Sequence, residues 1–197
     1  MRHNQRLMLL QGFISAEECE QYIEYSESQG YEEAKINVGR SAQQVHKNVR
    51  NNDRLFWDNP ELATAWFSRA REVFPTPGGP WQAHALNERF RFYRYHPGQR
   101  FARHRDGAYE RNANEISFYT FMVYLNDGYK GGRTRFEFSG DPALEVHADA
   151  GDALLFHDDV IHECPLTEVR GLMTVLSIMV ARRVSEGRVR ASETTPP

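Results

Sequence analysis

The sequence predicts a mainly β domain, a sandwich or barrel of short strands, with helices near its N-terminus. From Glu88 onward, short runs rich in aromatic and β-branched residues alternate with turns rich in Gly, Asn, Asp and Pro, a pattern typical of a sandwich or barrel. Before that point, helix-cap signals dominate. We therefore expect one domain over residues 1–184, with a helix-rich part at 1–87, the β core at 88–182 and a disordered tail at 185–197.

Two helices are predicted in the N-terminal part. Ser15 and Glu18 have the spacing of a capping box, in which each side chain accepts a hydrogen bond from the other residue's backbone, and Gly30 offers a stop. A second helix is predicted after Asn59, a good cap, because Pro60 is favourable at the first helical position. The polar segment between the two helices is predicted as a loop, with a strand as the alternative.

The β core is predicted from seven segments that turn signals separate. They are Phe90–Tyr95, Ala102–Arg105, Ile116–Leu125, Arg133–Phe138, Leu144–His147, Ala153–Phe156 and Leu172–Val180. Each is short enough for a strand, and several alternate polar and apolar residues as a half-buried strand does.

Composition gives no reason to expect a nucleic-acid or membrane partner. The 197 residues carry a formal net charge of −3, so no general basic field exists. No run approaches the ~20 apolar residues that cross a bilayer. The chain has 2 cysteines, too few for a secreted disulfide framework, so a cytoplasmic location is predicted.

His104, Asp106 and His162 form the pattern that points to chemistry. Residues at i and i+2 of a strand face the same side, so His104 and Asp106 can reach one ion. An imidazole from His162 would complete two histidines and one carboxylate, a set that suits non-heme Fe(II) because other coordination positions stay open. The alternatives are surface residues on an edge strand for His104 and Asp106, and a hydrogen-bonded core histidine for His162.

Other side chains compete for these roles. His147, His157, Asp158 and Asp159 are alternative metal ligands. His162 is preferred because the apolar residues before it suggest that the chain re-enters the core there.

A carboxylate anchor is also expected in such a site. Arg170 starts the last strand, and Arg133 and Arg135 are competing candidates. A guanidinium can bind a carboxylate through two parallel hydrogen bonds, although a solvated arginine is the ordinary outcome. Tyr124 shares one predicted face with Phe118, Thr120 and Met122, so its hydroxyl can assist; the other three are predicted as core packing.

These residues, in this order, resemble the 2-oxoglutarate- and Fe(II)-dependent dioxygenases, specifically the prolyl 4-hydroxylase-like branch. The matching segments are Arg91–Gln99 with Phe101, His104–Gly107, Tyr124–Asn126, Gly131–Phe136, Gly151–Phe156 and His162–Glu163. The resemblance implies a double-stranded β-helix (jelly-roll) core with helices packed outside, and Fe(II) bound by His104, Asp106 and His162. It further implies 2-oxoglutarate as co-substrate, with ascorbate as a candidate reductant.

The resemblance also implies roles for three more residues. Arg170 corresponds to the basic residue that binds the distal carboxylate of 2-oxoglutarate, with Tyr124 helping, and Tyr95 to an aromatic residue beside the metal and co-substrate. The family usually places that basic residue after a glycine, whereas here Gly171 follows Arg170.

The expected activity is hydroxylation of an unactivated C–H bond with release of succinate and CO2. Candidate substrates are a small metabolite or amino acid, or a residue in a protein or peptide such as proline, together with O2. Two segments are candidate substrate walls, Gly107–Glu115 and Lys35–Arg54; in the second, Arg50 and Arg54 are candidates for an anionic group. The alternatives are a jelly-roll metalloprotein with Zn-type hydrolytic chemistry and a non-catalytic binding module.

Overall fold

The structure is a computed structural model that describes residues 2–3, 6–37, 43–75, 79–169 and 172–183. These residues form two helices, α1 (Ala16–Gln29) and α2 (Pro60–Ala70), and a set of short strands. In chain order the strands are β1 (Arg2–His3), β2 (Leu7–Leu10), β3 (Glu32–Glu33), β4 (Ile36–Asn37), β5 (Gln43–Gln44), β6 (Asp53–Asp58), β7 (Trp81–Leu86), β8 (Arg89–Tyr95), β9 (Phe101–His104), β10 (Glu110–Asn112), β11 (Glu115–Tyr124), β12 (Lys130–Gly131), β13 (Arg135–Glu137), β14 (Leu144–Glu145), β15 (Ala153–His157), β16 (Ile161–Cys164), β17 (Thr167–Val169) and β18 (Leu172–Arg183).

Two antiparallel sheets make the architecture. The major sheet has the order β1-β2-β15-β11-β18-β8-β6-β3, with β10 paired to β11 and β7 paired to β18. The minor sheet has the order β14-β13-β16-β9. Two ribbons, β12-β17 and β4-β5, complete the pairing of the described strands.

Strand β11 shows how the major sheet separates two cores. Phe121 faces the helices and packs in a core with Trp66 of α2. Met122 and Tyr124, at alternate positions, pack in a second core with Phe136 of β13 in the minor sheet. The period of two in a strand produces this division. The jelly-roll fold with helices packed outside, which the sequence analysis predicted, is confirmed.

Both helices begin at the predicted residues. The Ser15 side chain accepts from the backbone of Glu18, the Glu18 side chain accepts from the backbone of Ser15, and Gly30 ends α1. Asn59 accepts from the backbone N–H of Leu62 at 2.9 Å at the start of α2. Among the described residues, no helix has the length and apolar content needed to cross a bilayer.

The N-terminal part contributes more strands than the sequence analysis predicted. Strands β2, β6 and β7 all join the major sheet, paired to β15, β8 and β18 respectively. These segments form strands because they pair with strands that come later in the chain. Local β-propensity does not contain that information, so the sequence analysis did not predict them. The predicted tail at 185–197 lies outside the described residues.

Candidate metal centre and its cavity

His104 and His162 lie opposite each other in the minor sheet, and Asp106 completes a cluster with them. His104 is the last residue of β9, and its cross-strand partner in β16 is His162. The strand ends at His104, one residue earlier than the predicted end at Arg105, and Asp106 lies two residues beyond it. The potential ligand atoms of the three side chains all lie within 4.8 Å of one another. The structure therefore brings the three predicted ligands together.

Backbone carbonyl groups orient both imidazoles. Nδ1 of His104 lies 2.8 Å from the carbonyl oxygen of Ala102, and Nδ1 of His162 lies 3.0 Å from that of Val160. Because a carbonyl oxygen can only accept, each Nδ1 carries the proton and each Nε2 keeps its lone pair. The two Nε2 atoms lie 3.6 and 3.8 Å from the carboxylate oxygens of Asp106. Two nitrogen lone pairs and a carboxylate are thus available to one cation.

The surroundings favour the metal-binding protonation states. Burial raises the pKa of Asp106, but the two imidazoles, whenever they are protonated, and the hydrogen bond from Thr120 favour the ionised carboxylate more strongly, so its pKa lies below the usual range. Burial also lowers the pKa of His162, more than the Asp106 carboxylate raises it. An ionised carboxylate and a neutral imidazole are the forms that bind a metal.

The side chains present fit Fe(II). Two imidazole nitrogens and one carboxylate oxygen form the donor set of non-heme Fe(II) oxygenases, and three protein donors leave further positions for molecules that enter the cavity. The same donors can also bind Zn(II), so the donor set by itself does not distinguish the two metals.

The three ligands line a cavity of about 300 Å³. Strand β8 contributes Arg91, Tyr93 and Tyr95 to its wall. The first predicted substrate wall contributes residues 107–109. The described side chains of the second predicted wall, residues 35–54, do not line the cavity.

Tyr95 and Tyr124 occupy different layers of the site. Tyr95 lines the cavity and is 4% exposed, and burial raises its pKa well above the ordinary value. Tyr124 is fully buried behind the wall, where its hydroxyl lies 2.7 Å from Oγ1 of Thr134. Thr134 itself lines the cavity. Both tyrosines therefore keep neutral hydroxyl groups in or next to the cavity, and their role with 2-oxoglutarate stays a prediction.

The predicted arginines that the structure describes do not line the cavity. Arg170 lies outside the described residues. Arg133 and Arg135 are exposed, and Arg135 pairs with Glu163 at 3.4 Å, because both side chains point away from the cavity. Arg54 pairs with strand β3 and does not line the cavity.

Arg50 is buried, whereas the sequence analysis placed it in a polar wall. Its guanidinium lies 4.6 Å from the ring centre of Tyr93 and 4.0 Å from that of Phe101, and its Nε donates to Asn52 at 3.0 Å. The Phe101 ring in turn stacks on the His104 imidazole at 3.6 Å. Arg50 therefore supports a stack that ends on a metal ligand, by attraction between a cation and an aromatic face.

Sequence reasoning missed several residues at the cavity, among them Thr120, Thr134 and Arg91. Thr120, predicted as core packing, donates to Oδ2 of Asp106 at 2.6 Å. Thr134 and Arg91 line the cavity and were assigned no role. For Thr120 a usable signal existed, since alternation puts its hydroxyl on the same face as Tyr124.

The competing ligands form a separate group. Nδ1 of His157 lies 3.0 Å from Asp158 and 2.8 Å from Asp159, and Arg6 pairs with Asp159. His147 is exposed. Among the described residues, His104, Asp106 and His162 form the group whose donor atoms lie close enough to share a metal ion.

Comparison with known proteins finds a family model that matches the β core. Residues 90–180 match the model of the 2OG-Fe(II) oxygenase superfamily, and this segment contains all three candidate ligands. A search of curated protein sequences finds no match.

Solved structures with the same fold include several oxygenases. A prolyl-4-hydroxylase from Pseudomonas putida has 16% identity and a TM-score of 0.65, covering 92% of this chain and 95% of that one. A prolyl hydroxylase from Trichoplax adhaerens, in complex with a hypoxia inducible factor peptide fragment, has 14% identity and a TM-score of 0.68, covering 89% and 84%. HygX from Streptomyces hygroscopicus, with nickel, 2-oxoglutarate and hygromycin B bound, has 13% identity and a TM-score of 0.54, covering 90% and 83%. At these identities the likeness shows the fold.

Proposed function

Residues 90–180 match the model of the 2OG-Fe(II) oxygenase superfamily, and on that premise we propose that this protein hydroxylates a C–H bond. In the proposed reaction the substrate, 2-oxoglutarate and O2 give hydroxylated product, succinate and CO2. One oxygen atom enters the product and the other enters succinate. The observation that carries the proposal is the convergence of His104, Asp106 and His162 at a cavity large enough for a small ligand.

Each residue of the metal site has a defined part in this proposal. Bound Fe(II) would supply the activation of O2 and the oxidative decarboxylation of 2-oxoglutarate. His104 and His162 present their Nε2 lone pairs, because the Ala102 and Val160 carbonyl groups accept from Nδ1. Asp106 supplies the negative charge that balances the cation. These groups are held before the metal arrives, which reduces the reorganisation that binding requires.

A second group of residues is proposed to hold 2-oxoglutarate. Tyr95 and Thr134 line the cavity and can donate hydroxyl hydrogens, and Tyr124 supports Thr134 from behind. Arg170 is the proposed partner of the distal carboxylate by its position in the sequence. A buried site of this kind strengthens charged hydrogen bonds, because little water competes.

The substrate is proposed to be a small metabolite or amino acid, or a residue in a peptide such as proline. A volume of about 300 Å³ is at the lower end for ligand pockets, which supports a small molecule or a single inserted side chain. The peptide-bound relative from Trichoplax adhaerens supports the second choice. A cytoplasmic location remains part of the proposal.

The test begins with titration of Fe(II) and 2-oxoglutarate into the protein under anaerobic conditions. The measured signal is the weak visible charge-transfer band of the complex. Addition of O2 should then release succinate in an iron-dependent reaction, and a substrate screen should stimulate that release. Asp106→Ala should abolish both signals, because the cation loses its carboxylate ligand. His147→Ala, at an exposed histidine outside the cavity, is the matched control. Full succinate release from Asp106→Ala would contradict the proposal.

The donor set keeps one competing function open. Two histidines and a carboxylate also serve Zn-dependent hydrolysis. Metal-dependent hydrolysis without 2-oxoglutarate or O2, and no succinate with Fe(II), would favour that function.

A further inference from the structure

Arg91 has a buried guanidinium nitrogen without a hydrogen-bond partner in the described part of the chain. It lines the same cavity as the metal ligands, and its Nη1 atom is buried and has no hydrogen-bond partner. Of the described residues that line the cavity, Arg91 alone is an Arg or Lys. Among the described residues, Arg91 is therefore the strong fixed cation of the cavity.

The other arginines of β8 are paired. Arg89 makes two hydrogen bonds to Asp58, at 2.8 and 2.9 Å. Arg94 bonds to Asp53 at 2.9 Å and to Glu27 at 2.6 Å. Arg91 is the arginine of this strand that faces the cavity, and it differs from its neighbours in having no such carboxylate.

The carboxylates that line the cavity are not partners of the Arg91 guanidinium, because each of them contacts another group. Asp106 contacts both histidines of the metal site and accepts from Thr120. Asp158 lies 3.0 Å from His157, and Glu163 pairs with an exposed arginine of β13. The described residues of the cavity therefore leave Arg91 able to bind a carboxylate that a ligand brings.

A carboxylate is the group that best matches this position. Its two oxygens accept the parallel N–H groups of a guanidinium, and a buried donor without an acceptor is unfavourable until such a group arrives. Arg50 also has an unbonded nitrogen, but it stacks on Tyr93 and Phe101 and does not line the cavity.

The position of Arg91 differs from that of the residues proposed for 2-oxoglutarate. Leu176 of β18 pairs with Arg91 on one side and with Met122 on the other. Arg91 thus lies in the same cross-strand row as Met122, between the row of Tyr124 and the row of Thr120. A guanidinium in the wall of the cavity that the metal ligands line is placed to orient the molecule that is oxidised.

We propose that Arg91 binds a carboxylate of the hydroxylated substrate, and that this substrate is a small organic acid, free amino acids included. This rests on the proposed function, because it assigns the substrate class of the same cavity. A volume of about 300 Å³ that also admits 2-oxoglutarate favours a small acid over a large one.

Binding can be tested without turnover. Protein loaded with Co(II), saturated with 2-oxoglutarate and kept anaerobic is titrated with L-amino acids, 2-hydroxy acids and short aliphatic acids, each beside its neutral carboxamide. We expect acids that bind about 10- to 100-fold more tightly than their amides, the range for a hydrogen bond to a charged group. Arg91→Gln should remove that preference, Arg91→Lys should restore part of it, and Arg89→Gln should keep it. The proposal is overturned if the compounds that bind do so equally well as acid and as carboxamide, or if no binding depends on Arg91. It is also overturned if Arg91→Gln loses the binding of 2-oxoglutarate and keeps the binding of the acids.

Thermal unfolding without ligands separates a binding role from a structural one. Arg91→Gln should melt at or above the temperature of the wild type, because it removes an unbonded buried donor. Arg94→Gln should melt lower, because it leaves Asp53 and Glu27 without their partner. Equal destabilisation by both variants would make Arg91 a structural residue. If acid binding depends on Arg91 but iron-dependent succinate release is absent, the proposed function fails while the carboxylate site stands.

Discussion

Thr120 donates its hydroxyl hydrogen to Oδ2 of Asp106 at 2.6 Å, and this bond joins the centre of the major sheet to the metal centre. Thr120 is 2% exposed, so the bond is shielded from water. It fixes the carboxylate that lies between the two imidazoles. Groups that orient a metal ligand in this way typically contribute 10- to 100-fold to metal affinity.

Replacement of Thr120 by valine should therefore weaken metal binding. The change keeps the shape of the side chain and removes the donor to Asp106, so Co(II) or Fe(II) affinity should fall by about 10- to 100-fold. Thr120→Ser retains the hydroxyl and is the matched control, measured by the same titration. Equal affinity of the valine variant and the wild type would show that Asp106 is oriented by other contacts.

Metal binding should persist to a lower pH than an ordinary histidine site allows. Burial lowers the pKa of His162, and the pKa of Asp106 is also below its usual range. Both groups thus stay in their metal-binding forms as the pH falls to the ordinary histidine pKa of about 6.5, and acid below that value releases the metal by protonating the His162 imidazole. Co(II) titrations at a series of pH values, with free metal buffered separately at each, should place the half-loss below 6.5. A half-loss above that value would contradict the effect of burial.

Replacement of Tyr124 by phenylalanine tests the proposed 2-oxoglutarate site. Both Tyr124 and Thr134 are buried, so the variant removes the bond between their hydroxyl groups and leaves that of Thr134 without this partner. We expect a loss of about 1–2 kcal/mol in stability and about tenfold in affinity for 2-oxoglutarate. Tyr129→Phe, at a partly buried tyrosine outside the cavity lining, is the control. Unchanged affinity for 2-oxoglutarate would restrict Tyr124 to a structural role.

Gly151 packs against the backbone of Ile14, just before helix α1, where there is no room for a side chain. Its φ is +89°, and a Cβ there would lie 2.2 Å from the carbonyl oxygen of Ile14, which is too close for the backbone to accept. Gly151→Ala should lower the free energy of unfolding by more than about 1 kcal/mol. Gly140→Ala is the control, since it has a φ of +87° with no atom within 4 Å of the added Cβ. If denaturant unfolding gives the two variants equal losses, the close approach to Ile14 carries no cost.

Local patterns in the sequence were sufficient for both helices and for the metal ligands. The bonds of Ser15 with Glu18, and of Asn59 with Leu62, join residues three positions apart, so local sequence contains both partners. The ligands were recognisable because metal binding restricts residue types, and because the segments around them resemble one family. The period of two also predicted that Tyr124 faces the interior.

The tertiary structure alone decided which polar side chains of the sheets have partners. Arg89, Arg91 and Arg94 are identical residues on one strand, yet two pair with carboxylates and Arg91 faces the cavity with an unbonded nitrogen. The same is true of Thr120, whose hydrogen-bond partner depends on how the β9 end lies against the major sheet. Burial and pairing are properties of groups that the fold brings together from distant parts of the chain, so residue type and spacing do not specify them.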